Sequence, residues 1–331
     1  MNFRSVRIPS LIVGTALVAG ACRCSPTPPR GEVKTAAPKI EEEPVVMAKQ
    51  DDPPDLEVPT ECPAALAQTR RHGTRPNAYV IPSVDELRQG RAWMAQLLAG
   101  DARMDAAHRL GFETVPLEEW PDTVLVREVG DRRRGGGAYV VRKGSASSLL
   151  VQAPHTFYDQ GTFPLACELF QRTRARALFI NTVHRYRASP AAEDGSHPSD
   201  VAHAANSIFH AFTEGAVDAI TPISVVQLHG FVERNVPAHA VVSTGEKQAG
   251  GPLVAKTARA LEGVLGPRVF RYPEDTRELG ALTNVQGILV RRAGGRFLHV
   301  EMAEATRRDL LRDASLRAKT LDALGASVMA P

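Results

Sequence analysis

The sequence predicts an α/β fold in which a mixed, mostly parallel sheet is covered by helices on both faces. From residue 148 onward, short apolar runs such as SLLVQA and ISVVQLHG alternate with segments of helical apolar spacing. The runs are continuously apolar, which is typical of strands that are buried on both faces. Ligands bind beyond the carboxyl ends of the strands in such sheets, so the residues after each run are the first candidates for a functional site.

The first 21 residues have the pattern of an export signal. MNFRSVR carries Arg4 and Arg7, an apolar run too short to span a bilayer follows, and small residues stand directly before Cys22. The small residues and the cysteine resemble the lipobox of bacterial lipoproteins. That resemblance implies lipidation of Cys22, export to the cell envelope of a bacterium, and contact with a membrane through the lipid anchor only. An ordinary signal peptide that ends near a cysteine is the alternative.

Composition separates a tether from the folded part of the chain. Residues 22–60 are rich in proline and charge and poor in large apolar residues, so they are predicted to form a disordered tether. Residues 61–331 are predicted to form a single domain, with an N-terminal part at 61–147 and a catalytic core at 148–331. The formal net charge of +3 and the scattered arginines predict no nucleic-acid partner.

The remaining elements are assigned in chain order from their apolar spacing. SVDELRQGRAWMAQLLAG opens with a capping box from Ser83 to Glu86 and is predicted to be a helix, and TVLVREV and GAYVVRK are predicted to be strands. A helix over DVAHAANSIFHAFTEG is expected to have Asp200 near its N-terminus. GILVRRAGGRFLHVEMA is predicted to be a hairpin that turns at Gly294-Gly295, and a single helix is predicted to close the chain. The other predicted strands are SLLVQA, ALFINTV, ISVVQLHG, HAVVSTG and VFRY, and the other predicted helices are FPLACELFQRTR and GPLVAKTARALEGVLG.

Two cysteines in the folded part leave two alternatives open. Cys62 and Cys167 can pair in an oxidising compartment, and Cys167 can equally be a buried free thiol in a helix. The cysteine spacing does not match a zinc knuckle.

Two histidines follow apolar strands at matching places. LLVQAPH ends at His155, and SVVQLHG contains His229 before its final glycine, with a glutamine three residues before His155 and two residues before His229. Asp159 follows His155 in the same loop. Two imidazoles and a carboxylate are ligands of a catalytic zinc site, which leaves one position open for water. The sequence therefore predicts that Zn²⁺ is bound by His155, Asp159 and His229. Ordinary hydrogen-bonded histidines at strand ends are the alternative.

A glutamate lies inside a predicted strand near the end of the chain. In RFLHVEMA, alternation places Phe297, His299 and Glu301 on one face of the strand. A carboxylate is costly to bury unless it is paired or used, so Glu301 is predicted to be a general base. A salt bridge to an arginine such as Arg307 is the alternative.

These motifs, in this order, resemble the N-formylglutamate amidohydrolase family, whose members are related to the zinc carboxypeptidases. The landmarks are APH, LFINTVHRY, VVQLHGF, TNVQGILV and FLHVEMAEATRRDLL, over roughly residues 148–312. The resemblance implies a zinc carboxypeptidase-like fold and a Zn²⁺ cofactor, with His155 and His229 as zinc ligands and Glu301 as the catalytic base. It also implies that Arg185 binds a substrate carboxylate, with Asn284 as a further substrate contact.

The motifs also depart from the family pattern. His299 stands where the family has a glutamine, and it is assigned here to substrate binding. The spacing between His155 and Asp159 differs from the His-x-x-Glu pair of the carboxypeptidases. N-acetylmuramoyl-L-alanine amidases carry a glutamate about thirteen residues after the first histidine, and Glu168 stands at that position. Glu168 is therefore the alternative second ligand. The polar stretch after ALFINTV adds His184, Arg185, Asp200 and His203 as candidates for the cleft.

Together these features predict a zinc-dependent hydrolase that cleaves an amide bond in a small carboxylate-bearing substrate. The expected substrates are N-acyl amino acids, peptides or cell-wall peptides in the cell envelope. A carboxypeptidase or a muramoyl amidase is the nearest rival. The alternative from another class is a non-catalytic envelope lipoprotein that binds a peptide or wall fragment. Glu301 far from His155 and His229 would favour that alternative.

Overall fold

The computed structural model describes residues 62–73, 79–130, 133–188, 196–233 and 236–329. The export signal, Cys22 and the tether at 22–60 lie outside the described residues. The described helices are α1 (Ala64–Gly73), α2 (Val84–Ala99), α3 (Met104–Arg109), α4 (Thr162–Arg172), α5 (Ile208–Ala219), α6 (Gly251–Leu265), α7 (Val285–Arg292), α8 (Glu304–Arg312) and α9 (Ala314–Met329). The strands are β1 (Phe112–Pro116), β2 (Thr123–Glu128), β3 (Ala138–Arg142), β4 (Ser147–Ala153), β5 (Ala175–Ile180), β6 (Ser224–Phe231), β7 (Ala240–Ser243), β8 (Val269–Arg271) and β9 (Arg296–Ala303).

The described strands form one nine-stranded sheet in the order β1-β2-β3-β5-β4-β6-β9-β7-β8. The four central strands β5, β4, β6 and β9 are parallel neighbours. The meander β1-β2-β3 adds to one side of them by antiparallel pairing, and β7 pairs antiparallel with β9 on the other. The predicted α/β class with a mixed sheet is confirmed. The parallel strands form the centre of the sheet, where the carboxyl ends of β4, β6 and β9 lie at one edge.

Helices cover both faces of the sheet because the central strands have apolar side chains on both. Leu150, Val225 and Phe297 pack in one cluster with Phe209 and Phe212 of α5. The alternate side chains of the same strands, such as Val151, Val226 and Leu298, pack in a second cluster with residues of α4, α6 and α9. The predicted alternation in β9 is therefore confirmed. It places His299 and Glu301 on the face that α5 covers.

The helix predicted over DVAHAANSIFHAFTEG is wrong in its first half. Residues 200–207 form turns, with the N–H groups of His203 and Ala204 both donating to the carbonyl of Asp200. The helix α5 begins at Ile208, because the Ser207 side chain accepts a hydrogen bond from the backbone N–H of His210 and caps it. Asp200 is therefore not a helix cap, and its carboxylate is free to serve the site described below.

The hairpin predicted at Gly294-Gly295 is also wrong. The segment before it is the helix α7, whose N-cap Asn284 accepts a hydrogen bond from the N–H of Gly287. Gly294 has a φ of 75° and follows the last turn of that helix, so the glycines end a helix rather than join two strands. The closing segment is two helices, α8 and α9, which meet at Asp313. The capping box of Ser83 and Glu86 at α2 is confirmed.

The disulfide alternative for the cysteines is the one that the structure contains. Cys62 and Cys167 form an S–S bond with their Cα atoms 5.5 Å apart, and this bond fastens the start of α1 to α4. Arg70 of α1 donates a hydrogen bond to the carbonyl of Thr156 at 2.9 Å, and its guanidinium lies 4.5 Å from the centre of the Phe157 ring. Through this arginine, α1 contacts the loop that follows His155. Among the described helices, none is both long and apolar enough to cross a membrane.

The histidine His210 on α5 makes the stability of the fold depend on pH. Its Nδ1 is buried and finds no hydrogen-bond partner among the described residues, and burial lowers its pKa from 6.5 to about 4. The unfolded chain therefore takes up this proton first as the pH falls, and stability is lost between pH 6.5 and about 4. Between pH 7.5 and pH 5 we expect wild type to lose about 1–2 kcal/mol more stability than His210→Leu, because the full shift corresponds to about 2 kcal/mol at pH 5 and partial exposure reduces it.

Urea unfolding of chelator-treated protein at pH 7.5 and pH 5 measures this effect. His108→Leu, on the exposed surface of α3, is the control for replacing a histidine by leucine. An equal loss of stability in wild type and His210→Leu between the two pH values would contradict the assignment.

Candidate metal centre

The strand order brings the predicted residues together at one edge of the sheet. His229 lies near the end of β6 and pairs in register with Glu301 of β9. His155 follows the end of β4, the other parallel neighbour of β6. All three side chains are buried, with 3% of His155, 4% of His229 and 9% of Glu301 exposed. This edge of the sheet thus carries a cluster of buried polar side chains beside otherwise apolar layers.

Asp159 reaches the histidines because the loop after β4 folds into a tight turn. The N–H groups of Tyr158 and Asp159 both donate to the carbonyl of His155, at 3.0 and 2.7 Å. The Thr162 hydroxyl and N–H then bind the Asp159 carbonyl at the start of α4. One turn of this kind returns the fourth residue to the side of the first, which explains the His-x-x-x-Asp spacing.

Three ligand atoms converge on one point in the pocket. Asp159 Oδ2 lies 3.4 Å from His155 Nδ1 and 3.3 Å from His229 Nδ1. This oxygen is buried and makes no hydrogen bond to any described residue. Ligands at about 2.0–2.1 Å from a tetrahedral zinc lie about 3.3–3.4 Å from one another, so Asp159 Oδ2 has zinc-ligand spacing to both nitrogens. One ligand atom from each of the three residues lies within 4.8 Å of the other two. The donor set of two nitrogens and one oxygen also suits this ion.

The outer nitrogen of each histidine is held by a side-chain acceptor. His155 Nε2 lies 2.7 Å from Asp200 Oδ1, and His229 Nε2 lies 2.8 Å from Gln227 Oε1. Acceptors at both Nε2 atoms favour the tautomers that carry hydrogen there and leave Nδ1 with a lone pair. Both imidazoles therefore present their ligand atoms to Asp159.

The charges of the pocket follow from burial and from these contacts. Burial opposes ionisation of Asp159, but the interactions of its carboxylate with the adjacent rings of His155 and His229 outweigh it and hold the pKa of this carboxyl below its usual range. Burial lowers the pKa of His229 to about 4, so this ring is neutral at pH 7. Burial also opposes the charged form of His155, but Asp159 and Asp200 together raise its pKa. A cation and a proton therefore compete for the space beside Asp159.

Glu301 lies next to this cluster and is not neutralised by an arginine. A carboxylate oxygen of Glu301 lies with nitrogens of His229 and His299 in a group whose ligand atoms are all within 4.8 Å of one another. Burial, and then the charge of Asp159, raise the pKa of Glu301 to about 8. Arg307 donates instead to the carbonyls of Gln160 and Met302. The structure thus places Glu301 beside the candidate metal ligands, as a base would have to lie.

Arg185 stands at the rim of the pocket and already has one carboxylate partner. Its guanidinium binds Asp200 Oδ2, and Nη1 lies 3.5 Å from His155 Nδ1. The same group lies 5.3 Å from the centre of the Tyr158 ring and 5.2 Å from that of Tyr186. Its predicted role toward a substrate carboxylate stays a prediction. In that role, its guanidinium would bind both the Asp200 carboxylate and the carboxylate of the substrate.

The remaining predicted residues have different surroundings. Glu168 accepts hydrogen bonds from Arg172 and Arg317, both at 2.6 Å, in the layer of α4 and α9. The carboxylate predicted as the alternative second ligand therefore belongs to an ion pair with two arginines. Asn284 donates its amide to Gln227 and caps α7, which makes it a neighbour of the site through Gln227.

His299 is 3% exposed and its Nε2 lies 3.6 Å from Glu301 Oε1. Burial lowers its pKa well below the usual value, so the ring beside the base is neutral. Its assignment to substrate binding stays a prediction. The sequence named Asp200 as a candidate for the cleft but did not predict its contact with His155. It did not assign Gln227 to the centre, although the repeated glutamine before each histidine was an available signal.

No family model and no curated protein matches the chain. Among solved structures, it is similar to an N-formylglutamate amidohydrolase from Ralstonia eutropha JMP134, at 15% identity over 59% of this chain and 98% of that chain, with a TM-score of 0.37. A metallo-carboxypeptidase from Burkholderia cenocepacia matches at 13% identity over 63% of this chain and 65% of that chain, with a TM-score of 0.39. An N-acetylmuramoyl-L-alanine amidase of Nostoc punctiforme matches at 11% identity over 56% of this chain and 97% of that chain, with a TM-score of 0.31.

These structures include the families that the sequence resembles, and the named enzymes are hydrolases of amide or peptide bonds. At identities and TM-scores this low they carry no argument about function. The function proposed next therefore rests on the geometry of the centre.

Proposed function

We propose that this chain is a zinc-dependent amidohydrolase that cleaves an amide bond in a small, carboxylate-bearing substrate. One observation carries the proposal: the buried, unpartnered Oδ2 of Asp159 lies at zinc-ligand spacing from two histidine nitrogens, with Glu301 beside them. Polar atoms are rarely left unpaired in a protein interior, and a cation at this point would satisfy all three ligands at once. His155, Asp159 and His229 would hold it.

The chemistry divides between the metal and the chain's own residues. When bound, Zn²⁺ supplies a Lewis acid that polarises a carbonyl and lowers the pKa of water. Glu301 takes the proton of the attacking water and delivers it to the leaving amine, for which a buried carboxylate with a raised pKa is suited. Arg185 orients the substrate through its carboxylate, since a planar guanidinium binds carboxylates in a fixed geometry. His299 remains a candidate substrate contact.

The alternative, a non-catalytic binding protein, would be favoured if Glu301 lay far from His155 and His229. A carboxylate oxygen of this residue lies within 4.8 Å of a ring nitrogen of His229, which is within reach through one water. This distance favours the enzyme over the binding protein.

We propose that the protein is located in the bacterial cell envelope, with lipidation at Cys22 as its only membrane attachment. The Cys62–Cys167 disulfide supports export, because such bonds persist in oxidising compartments. Substrates available there are N-acyl amino acids, peptides and cell-wall peptides, and these three classes are the ones that we propose.

Removal and return of zinc tests the proposed function directly. We expect purified protein loaded with zinc to release free amine from at least one member of a panel of N-formyl and N-acyl amino acids, dipeptides and cell-wall peptides. A chelator should abolish the release, and zinc should restore it, because the metal held by His155, Asp159 and His229 would supply the polarisation of the carbonyl. Amine release is measured with a primary-amine reagent. Protein that binds zinc and cleaves none of the panel would favour the binding alternative.

A further inference from the structure

A buried glutamine precedes each of the two histidines, and the catalytic proposal does not use either one. Gln152 and Gln227 are cross-strand partners in the register of β4 and β6, and both are 0% exposed. Amides are costly in an apolar layer unless their donors and acceptors are matched.

The first half of the network starts at a backbone carbonyl of α5. The Thr213 hydroxyl donates to the Phe209 carbonyl at 2.8 Å, so its oxygen is left to accept. Gln152 Nε2 donates to that oxygen at 2.9 Å, which turns Gln152 Oε1 toward β6. Gln227 Nε2 donates to this Oε1 at 2.8 Å. The amide of Gln227 is thus oriented from one side with Nε2 toward β4.

Two further backbone groups orient the same amide from the other side. The N–H of Gly287 donates to Asn284 Oδ1 at 2.8 Å, which leaves Asn284 Nδ2 to donate to Gln227 Oε1. Gln286 Nε2 donates to the Val201 carbonyl at 2.8 Å, so Gln286 Oε1 faces Gln227 Nε2, at 3.5 Å. A turned amide would place like groups against each other at all of these contacts.

The consequence appears at His229. The fixed Oε1 of Gln227 lies 2.8 Å from His229 Nε2, and an oxygen that can only accept requires that this nitrogen carry the hydrogen. The lone pair of the ring is then on Nδ1, which is the atom 3.3 Å from Asp159 Oδ2. Three backbone groups on α5, α7 and the turn before α5 thereby decide which nitrogen of His229 is available to a metal.

We propose that Gln227, oriented by Gln152, Asn284 and Gln286, is a positioning residue that fixes the tautomer of His229 and so sets the affinity of the centre for zinc. The zinc part rests on the proposed function, whereas the tautomer part concerns the metal-free chain alone. His155 has a different support, a carboxylate of Asp200, which is a stronger acceptor. The two ligands are therefore held by a neutral network on one side and by an ionic one on the other.

Two substitutions at Gln227 separate positioning from packing. Gln227→Met keeps nearly the same volume and removes the acceptor, and Gln227→Glu keeps the acceptor toward His229. We record ¹⁵N spectra of histidine-labelled, metal-free protein above pH 7 and assign His229 by its loss in His229→Ala. We expect Nε2–H in wild type and in Gln227→Glu, and a mixture of tautomers in Gln227→Met. Zinc affinity, measured by chelator competition, should fall about 10–100-fold in Gln227→Met and return toward wild type in Gln227→Glu.

A third variant keeps the proposal testable if Gln227→Met does not fold. Asn284→Asp keeps a good cap for α7 but replaces the donor toward Gln227 by an acceptor. We expect it to turn the Gln227 amide, to shift His229 toward the Nδ1–H form and to weaken zinc binding. Wild type with hydrogen on Nδ1, or an unchanged His229 spectrum in both Gln227→Met and Asn284→Asp, would overturn the proposal. Wild type with Nε2–H that binds no zinc would instead refute the proposed function and leave the tautomer assignment in place.

Discussion

Replacement of His229 by alanine is expected to abolish the zinc content of the purified protein, which in the wild type should be about one ion per chain. A zinc-binding free energy on the order of 10–16 kcal/mol, shared over three or four ligands, assigns about 2.5–5 kcal/mol to each, so affinity should fall at least about 50-fold. Asp159→Asn should behave in the same way, because the buried carboxylate is the only charged ligand in the proposed set. Metal content is measured by mass spectrometry after reconstitution and desalting.

The matched control is Glu168→Gln, at the carboxylate that sequence comparison offered as the alternative ligand. It should keep its zinc, because Glu168 is bound by Arg172 and Arg317 rather than by the histidines. Its cost should appear as lower stability, since two arginines in the same layer lose their partner. A variant set in which Glu168→Gln loses the metal and Asp159→Asn keeps it would reverse the ligand assignment.

The second large effect is expected at Glu301. Glu301→Gln should keep the zinc and lower kcat by about 10²–10⁴-fold, because an amide of the same shape cannot take a proton from water. The measurement is the rate of amine release at saturating substrate, with metal content recorded on the same sample. The change should lie in kcat more than in KM, since the substrate contacts are unaltered.

Glu304→Gln, on the exposed face of α8, controls for loss of a nearby negative charge. Loss of zinc in Glu301→Gln would instead show that Glu301 is a zinc ligand. The structure allows this outcome, because Glu301 lies with His229 and His299 in a second group of possible ligand atoms. Undiminished turnover with zinc bound would remove Glu301 from the mechanism.

The central residues of the site could be predicted because each is tied to a regular element. His155 and His229 follow apolar strands whose carboxyl ends must share an edge, and alternation in β9 decides which face carries Glu301. Asp159 is close in sequence, so a tight turn suffices to bring it back. These are local rules, and they hold here because the sheet imposes them.

The other features of the site and fold could not be predicted, because they depend on contacts between segments that are distant in the sequence. Asp200 lies in turns without apolar periodicity, and its role is visible only once His155 and Arg185 are placed on either side of it. The glycines at 294–295 suggested a hairpin, but the Asn284 cap and the preceding apolar residues form a helix instead. The orientation of Gln227 depends on Asn284, 57 residues away in the chain, and a single sequence contains no sign of that pairing.

The link between the disulfide and the loop after β4 makes assembly of the centre depend on the redox state of Cys62 and Cys167. The Cys62–Cys167 bond fixes the start of α1, and Arg70 of that helix holds the Thr156 carbonyl, one residue after His155. A reduced chain lacks this disulfide, so the turn that returns Asp159 to the histidines loses one of its supports. On the proposed function and export, the enzyme would gain its activity only in an oxidising compartment, and its proposed substrates inside the cell would not be cleaved by the reduced precursor.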